Sequence, residues 1–401
     1  MVRSLIKGSF SFLMISNVTI VFSTLVIYLN GKLLTPEDFG LIGLATILIS
    51  FLDSFKQIGT KEYLISHGIT DDNEVMNAWT LDLCKSVILF ILCLALTPLV
   101  SSFYGIPSLL WVIPLLSLGF LFDGLSNPYF YKLRMNLEYK KLNVYNLLHS
   151  SISSLFIICL VYYFQDYRGV IIGYFFRGLF QFAFTYLYNF TVPYLYFRNE
   201  IFKKQFHYGK WVLICGVLYF FTGRFDVFVV SNIVTLEELG FYSFALSIML
   251  GIVVMPLKSI NNALFPLLSK NVDDLKVITV IKLTSAIALV VIILSFTLIQ
   301  PVLQLMFSGK WNDAILTLQL LCAAAAVNSV RVDGFFMSTG NTKIKFKIEA
   351  VRAFSCVILL YPLVNIWGIE GAAISLILAN VIGLLIWCLS IKKLQDDKVI
   401  I

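Results

Sequence analysis

The sequence predicts an all-α membrane protein with twelve transmembrane helices in two six-helix lobes. Three observations lead to this prediction: an apolar composition, apolar runs of membrane-spanning length along the whole chain, and a match between its two halves. Of the 401 residues, 59% are hydrophobic and only 13% are charged, whereas a typical soluble domain has about 25% charged residues. A water-soluble fold of this length could not cover its surface with so few charges. Most of the surface must therefore face lipid.

Apolar runs of about 17–25 residues, the length that crosses a bilayer, recur along the chain. Pro256 and Pro266 interrupt the sequence after the eighth run. The first run is too long for the apolar core of a signal peptide and lacks a small-residue cleavage site, so we interpret it as a span. The predicted spans lie at about 10–33, 39–58, 80–101, 108–130, 144–164, 169–190, 211–234, 239–257, 277–300, 313–337, 348–366 and 371–391.

The distribution of Lys and Arg predicts the orientation of these spans. Cytoplasmic loops of membrane proteins carry the excess of both residues. If the N-terminus is cytoplasmic, most of the 30 Lys and Arg lie on that side, and the far side holds only Lys32, Arg168 and Lys310. We therefore expect both termini in the cytoplasm. The formal charge of +7 then describes a basic cytoplasmic surface and is not a sign of nucleic-acid binding.

The turn after the first span and the turn after the seventh share a sequence pattern. Residues 34–40 read Leu-Thr-Pro-Glu-Asp-Phe-Gly, and residues 234–240 read Val-Thr-Leu-Glu-Glu-Leu-Gly. Later landmarks recur in the same order. They pair Phe103-Tyr104-Gly105 with Phe307-Ser308-Gly309, Asp123-Gly124 with Asp333-Gly334, and Arg168-Gly169 with Glu370-Gly371.

These matches predict an internal duplication. We expect an N-terminal six-helix lobe at residues 1–193, a cytoplasmic linker at 194–210 and a C-terminal six-helix lobe at 211–401. Because each half holds an even number of spans, the two lobes would have the same orientation in the membrane. Parallel repeats of this kind are typical of transporters that rock two lobes around a central site.

Two segments carry a resemblance to a known family. Residues 33–65, with Leu34-Thr35-Pro36-Glu37-Asp38-Phe39-Gly40-Leu41 and the later Gln57-Ile58-Gly59, resemble the start of bacterial polysaccharide transporters. Residues 226–270, with Leu239-Gly240-Phe241-Tyr242-Ser243, resemble the matching region of the second half. These transporters are the Wzx-type O-antigen and repeat-unit flippases of the multidrug/oligosaccharidyl-lipid/polysaccharide (MOP) superfamily.

The resemblance implies a MATE-like fold and alternating access by two lobes. It implies a flippase that moves an undecaprenyl-pyrophosphate-linked oligosaccharide from the inner to the outer leaflet of the bacterial cytoplasmic membrane. We expect no cofactor and a proton or sodium gradient as the driving force. A polymerase and other polysaccharide-assembly proteins are the further partners that such a function implies.

Charged residues inside the predicted spans are the candidate functional residues, because a charge in the bilayer core costs about 2.5–3.5 kcal/mol on insertion scales. Arg177 and Arg224 lie near mid-membrane, and Arg331 lies in the cytoplasmic third of the tenth span. One or more of these arginines could bind the lipid pyrophosphate, since the planar guanidinium meets phosphate oxygens bidentately. The alternative is that they form buried ion pairs that hold helices together.

Four carboxylates are candidates for proton coupling. On a continuous helix, Asp226 and Arg224 would point about 200° apart and could not face the same way. Asp123 and Asp333 occupy matching positions in the two halves and are either helix-terminating residues or cavity carboxylates. Asp53 lies at a similar depth, with Lys56 as its expected partner one turn later.

For the other polar residues in the spans, a structural role explains the sequence at least as well as a functional role does. Three basic residues lie close to cytoplasmic span ends, where their side chains can snorkel to the interface: Lys85, Lys282 and Arg352. Two of them can instead form an ion pair with an acid three positions earlier, as Asp82–Lys85 and Glu349–Arg352. The first span has a polar stripe that either packs against other helices or forms a sugar-contacting cavity wall. The stripe contains Ser9, Ser16, Thr19, Ser23 and Asn30.

Enzyme signatures are absent from the sequence. His67, His149 and His207 lie in or beside predicted cytoplasmic loops without metal-ligand spacing, and no Walker A or G-x-S-x-G motif is present. We therefore predict no catalytic or metal-binding residues. Two rival functions remain: a multidrug or metabolite exporter of the same superfamily, and a membrane-embedded polysaccharide polymerase or ligase, for which the short outward connections leave little room.

Overall fold

The computed structural model describes residues 20–56, 60, 63–64, 71–131, 133, 138–188, 191–258, 274–331 and 342–399. All regular structure in this part of the chain is helical. Helices α1 to α6 are Ile20–Leu33, Pro36–Ser54, Asp72–Tyr104, Leu109–Leu125, Tyr139–Phe164 and Tyr167–Tyr188. Helices α7 to α12 are Asn199–Gly223, Phe225–Ser231, Leu236–Ile248, Asp274–Phe307, Ile315–Val330 and Thr342–Val399.

Seven helical segments within the described residues are long and apolar enough to cross a membrane. Helices α1 and α4 are apolar but shorter. In five of the seven segments, between 17% and 33% of the most apolar window is buried inside the protein. Their apolar outer faces are therefore available to lipid, as expected of a multi-pass membrane protein. The seven segments are Asp72–Tyr104, Val144–Phe164, Tyr167–Leu187, Leu236–Lys258, Thr279–Phe307, Asn312–Val330 and Lys343–Ile391.

The chain divides into two compact units. The first unit comprises Met1–Leu34 and Leu41–Phe220, and the second comprises Thr35–Gly40 and Phe221–Ile401. Within the first unit, α3 packs on α4, α5 on α6 and α4 on α6. Within the second unit, α10 packs on α11, and α11 packs on α9 and α12. Helix α2 therefore begins in the second unit and continues in the first.

The two turns with matching sequences fold into the same helix cap. At the start of α2, the Thr35 N–H donates to Asp38 Oδ2 (2.9 Å) and the Asp38 N–H donates to Thr35 Oγ1 (3.2 Å). At the start of α9, the Thr235 N–H donates to Glu238 Oε2 (2.9 Å) and the Glu238 N–H donates to Thr235 Oγ1 (3.3 Å). Each is a capping box, in which two N–H groups at the helix start are satisfied reciprocally.

Both capped helices begin in the second unit and cross each other at their first turns. A Cβ atom on Gly40 would overlap the Leu236 carbonyl oxygen, and a Cβ atom on Gly240 would overlap the Pro36 carbonyl oxygen. Only glycine permits this approach of two backbones. Beside the crossing, the Phe244 ring stacks on Trp311, with 3.9 Å between the ring centroids. Trp311 is 1% exposed, so the crossing belongs to the core of this unit.

The other paired landmarks also show similar local structure. Helices α3 and α10 both end in a left-handed residue, Gly105 (φ +66°) and Ser308 (φ +52°). Gly169 lies against the backbone at Val161, and Gly371 lies against the carbonyl of Leu363. The landmark at Asp333-Gly334 lies outside the described residues.

Two breaks in the helices bear on the predicted spans, and only one of them departs from the prediction. The long helix α12 is broken at Trp367 and Gly368, whose backbone angles are not helical, and this break separates the predicted spans at 348–366 and 371–391. The predicted span at 211–234 contains parts of two helices and a break between them. Helix α7 ends at Gly223, Arg224 has φ −148° and ψ −11°, and α8 starts at Phe225. A glycine in a helix interior lowers helix stability by about 1 kcal/mol relative to alanine. Gly223 is the last residue of α7, so the helix ends at a residue that disfavours its continuation.

Candidate functional site

Within the described residues, each unit contains a cluster of polar side chains in or beside its apolar helices. The first cluster contains Asp53, Lys56, Asp123, Tyr145 and Gln181, together with His149 and Arg177 beside them. The second cluster contains Asn328, Arg331, Glu349, Arg352 and Asn380. Because polar groups in lipid are retained only when they are paired or functional, these clusters are the candidate sites.

The first cluster is centred on the carboxylate of Asp123, near the end of α4. The Lys56 ammonium group forms an ion pair with Asp123 Oδ2 and lies 3.4 Å from Asp53 Oδ1. The Gln181 side chain donates to Asp123 Oδ1 at 3.0 Å. The contact between Asp53 and Lys56 was predicted and is confirmed. Through its contacts with Lys56 and Gln181, Asp123 also connects the end of α2 to α4 and α6.

Aromatic and imidazole rings adjoin this carboxylate. The Tyr145 hydroxyl donates to the Gln181 backbone carbonyl at 3.1 Å, and the Tyr145 ring lies parallel to the His149 ring, 6.1 Å away. His149 Nε2 lies 3.2 Å from the Arg177 carbonyl oxygen. His149 was predicted in or beside a cytoplasmic loop, and it lies in the second turn of the span that follows that loop. This residue is 8% exposed inside the span Val144–Phe164, where the Arg177 carbonyl satisfies its ring.

Arg177 lies at the centre of the span Tyr167–Leu187, about 15 Å from either end. Its side chain is exposed, and within the described residues no acid lies at ion-pair distance from it. Tyr174 and Gln181, at i−3 and i+4, are also exposed, so the three side chains form one stripe on α6. Because a guanidinium at this depth is costly in lipid, the stripe is a candidate lining of a polar space.

The second cluster is a buried network around Glu349. Arg331 Nη1 lies 3.2 Å from Glu349 Oε1, and Arg352 Nη2 lies 2.6 Å from Glu349 Oε2. Arg331 also donates to Asn328 Oδ1, and Arg352 Nη1 donates to Asn380 Oδ1 at 3.2 Å. The predicted pair Glu349–Arg352 is confirmed, and so is Asp82–Lys85 in the first unit, at 2.7 Å.

For Arg331 the geometry is that of an ion pair between helices. The residue follows the last turn of α11 and is 3% exposed. Its partner Glu349 belongs to α12. Arg352 does not snorkel, because its guanidinium is directed to Glu349 and the two asparagines.

Asp226 lies in the first turn of α8, directly after the helix break. It is 3% exposed and accepts hydrogen bonds from the Tyr242 hydroxyl (2.5 Å) and the Val227 N–H (2.9 Å). Arg224 is half-buried at the break itself. The predicted angle of about 200° between the two side chains assumes a helix that is continuous through Arg224, and the break removes that premise.

The remaining sequence candidates are less informative. Ser23 is half-buried and Asn30 is buried on α1. Ser16, Thr19 and Asp333 lie outside the described residues. Within the described part of the chain, no group of three or more His, Cys, Asp or Glu side chains could hold a metal ion. Gln181, Tyr145 and Tyr242 were missed, although the spacing of Tyr174, Arg177 and Gln181 could have revealed the polar stripe.

Comparison with known proteins identifies the family. Residues 31–316 match the family described as polysaccharide biosynthesis protein. The chain belongs to this family. It is 22% identical over 377 residues to the lipopolysaccharide biosynthesis protein WzxC of Escherichia coli (strain K12), a match that covers 87% of the chain and 72% of WzxC.

Two solved structures show the same fold. The first is an inward-facing multidrug resistance transporter of the MATE family in the MOP superfamily (TM-score 0.70, 16% identity, 97% of this chain and 99% of that one). The second is the lipid II flippase MurJ in an inward closed conformation (TM-score 0.73, 17% identity, 95% of this chain and 87% of that one). Both neighbours of this multi-pass bacterial membrane protein are membrane transporters, and at these identities the likeness shows the fold alone.

Proposed function

We propose that the protein is a flippase that moves undecaprenyl-pyrophosphate-linked oligosaccharide repeat units from the inner to the outer leaflet of the cytoplasmic membrane. It would work by alternating access of two six-helix lobes with twelve spans in all and both termini in the cytoplasm. The family supports a role in polysaccharide assembly, and the likeness to MurJ and the MATE transporter supports a transport fold.

The observation that carries this proposal is the exposed guanidinium of Arg177 at the centre of a membrane span. A lipid-facing charge there would cost about 2.5–3.5 kcal/mol on insertion scales. An aqueous path that takes an anionic headgroup explains its position. The guanidinium remains charged and can hold pyrophosphate oxygens bidentately while the prenyl tail stays in lipid.

The other predicted arginines would contribute differently. Arg224, half-buried at the helix break, is a second candidate ligand of the pyrophosphate. Arg331 is held by Glu349 and Asn328, so we propose that it binds phosphate only if the lobe rearranges. A multidrug or metabolite exporter is the rival function, which the fold shared with the MATE transporter supports.

Transport would draw on a proton or sodium gradient. We propose Asp226 as the leading coupling carboxylate, with Asp53, Asp123 and Asp333 as alternatives. Asp226 is buried and bonded to Tyr242 at a break between two helices, a place where a change of protonation can alter helix geometry. A polymerase and other polysaccharide-assembly proteins are proposed partners.

Replacement of Arg177 tests the role of its charge. In cells that lack their own copy of the gene, Arg177→Ala should lower surface polysaccharide at least tenfold at matched protein level, because about 1.5–3 kcal/mol is lost for each hydrogen bond to a charged group. Arg177→Lys should be intermediate, since an ammonium group cannot bind bidentately.

Arg168→Ala is the matched control, because Arg168 lies at the start of the same helix and pairs with Asp166 in an exposed position. It should leave the polysaccharide output unchanged. Wild-type output from the Arg177→Ala variant would refute the proposed role of this residue. Drug efflux that depends on Arg177, without any effect on polysaccharide, would favour the exporter.

A further inference from the structure

The first cluster contains groups that phosphate binding does not explain. Gln181 lies one turn from Arg177 on α6, about 6 Å along the helix axis. Its amide is bonded to the carboxylate of Asp123. A carboxylate beside a pyrophosphate would repel it. Asp123 and Gln181 must therefore either serve a different part of the ligand or only hold helices together.

The hydrogen-bonding capacity of this pair is not exhausted. An ionised carboxylate offers about four acceptor positions, and the described residues give Asp123 one partner on each oxygen, Lys56 and Gln181. The Gln181 side chain is exposed, so its second N–H and its oxygen remain available to a ligand. Together these groups can accept from and donate to hydroxyl groups.

Tyr145 supplies an apolar surface next to the same pair. Its hydroxyl is bonded to the Gln181 backbone, which fixes the ring, and its side chain is half-buried. Phe130 packs on it with 4.3 Å between ring centroids. A sugar ring presents hydroxyl groups at its rim and C–H groups on its faces, so a carboxylate and an amide beside an aromatic ring match both.

The charge of the cluster indicates which sugars it would accept. Asp53 and Asp123 carry two negative charges, and Lys56 carries one positive charge. The positive charge of Arg177 is engaged by the pyrophosphate in the proposed complex, so the surplus at the other groups is negative. A uronic acid would be repelled, whereas a neutral sugar or an amino sugar would not.

We propose that Asp123, Gln181 and Tyr145 form a subsite for a neutral or amino sugar of the lipid-linked oligosaccharide, one helical turn from Arg177. This proposal rests on the proposed flippase function. It adds the class of sugar and the residues that contact it, and it separates sugar recognition from phosphate recognition on a single helix.

Two lipid probes separate this proposal from the flippase function. Purified full-length protein in nanodiscs is titrated with undecaprenyl pyrophosphate, and then with the same lipid carrying a neutral disaccharide. The disaccharide should strengthen binding about tenfold, the gain of one hydrogen bond to a charged group. Gln181→Ala should remove most of this gain and leave binding of the sugar-free lipid unchanged. Asp123→Asn should also remove most of the gain, without weakening binding of the sugar-free lipid, because it removes a negative charge near the pyrophosphate.

Binding of the sugar-free lipid that is not weakened also shows that the variants are folded. Asp166→Asn, in the exposed pair with Arg168, is the matched control and should keep the gain. A uronic-acid disaccharide should bind more weakly than the neutral one to the wild type. Equal affinity of the wild type for all three lipids would overturn the subsite but not the flippase. Equal losses for both lipids in the variants would indicate a structural network only, and no binding of any lipid would refute the flippase function.

Discussion

Replacement of Glu349 should destabilise the second unit strongly, because this side chain holds two arginines together. Arg331 and Arg352 both reach its carboxylate, at 3.2 Å and 2.6 Å. The side chain of Arg331 is only 2% exposed. In the Glu349→Gln variant, two guanidinium groups would face each other with a neutral amide between them.

The size of this destabilisation follows from the burial of the ion pairs that Glu349 forms. Removal of one partner of a buried ion pair costs about 3–5 kcal/mol. Glu349 is 23% exposed and Arg352 is 13% exposed, so water compensates part of the loss. We expect a decrease of about 3 kcal/mol in the free energy of unfolding. Simultaneous replacement of Arg352 by Gln removes the repulsion, and the double variant should lose less than the sum of the two single variants.

The free energy of unfolding can be measured by titration with sodium dodecyl sulfate in mixed micelles. Glu200→Gln is the matched control, because Glu200 pairs with Arg198 at 2.9 Å but is 76% exposed. An exposed ion pair contributes about 0–1 kcal/mol. Equal, small losses for Glu349→Gln and Glu200→Gln would refute the buried network.

Two further predictions concern the repeated turns. Gly240→Ala should lower stability by several kcal/mol, because its methyl group would overlap the Pro36 carbonyl. Gly119→Ala, where a Cβ meets open space, should raise stability by about 0.5–1 kcal/mol. A change of stability with the same sign in Gly240→Ala and Gly119→Ala would contradict the backbone crossing. Thr235→Ala should cost about 1 kcal/mol through the lost cap. The exposed Thr297 hydroxyl bonds back to the Ile293 and Leu294 carbonyls of its own helix. Thr297→Ala should therefore have almost no effect, and equal losses for Thr235→Ala and Thr297→Ala would contradict the cap. Both pairs are measured by the same titration.

Features set by neighbouring residues were predictable from the sequence. The capping boxes at Thr35 and Thr235 follow from a polar residue that can bond the backbone three positions away. The pairs Asp53–Lys56 and Glu349–Arg352 follow from helical spacing. Apolar runs located the helices, because a lipid-facing helix must be apolar along its length.

Features that depend on contacts between distant helices were not predictable. The bond from Gln181 to Asp123 requires knowledge of how α4 packs on α6, which no local pattern contains. The helix break at Arg224 was missed because hydropathy is continuous through it. The contact of the His149 ring with the Arg177 carbonyl likewise depends on how α5 packs on α6.

The most direct test of the proposed function is transport by the purified protein. In proteoliposomes, fluorescent undecaprenyl-pyrophosphate oligosaccharide in the inner leaflet becomes accessible to an external glycosidase once it has been flipped. We predict that the wild type exposes the labelled lipid faster than protein-free vesicles do, and that Arg177→Ala abolishes this acceleration while Arg168→Ala retains it. Exposure of the lipid by the wild type at the protein-free rate would contradict the proposed function.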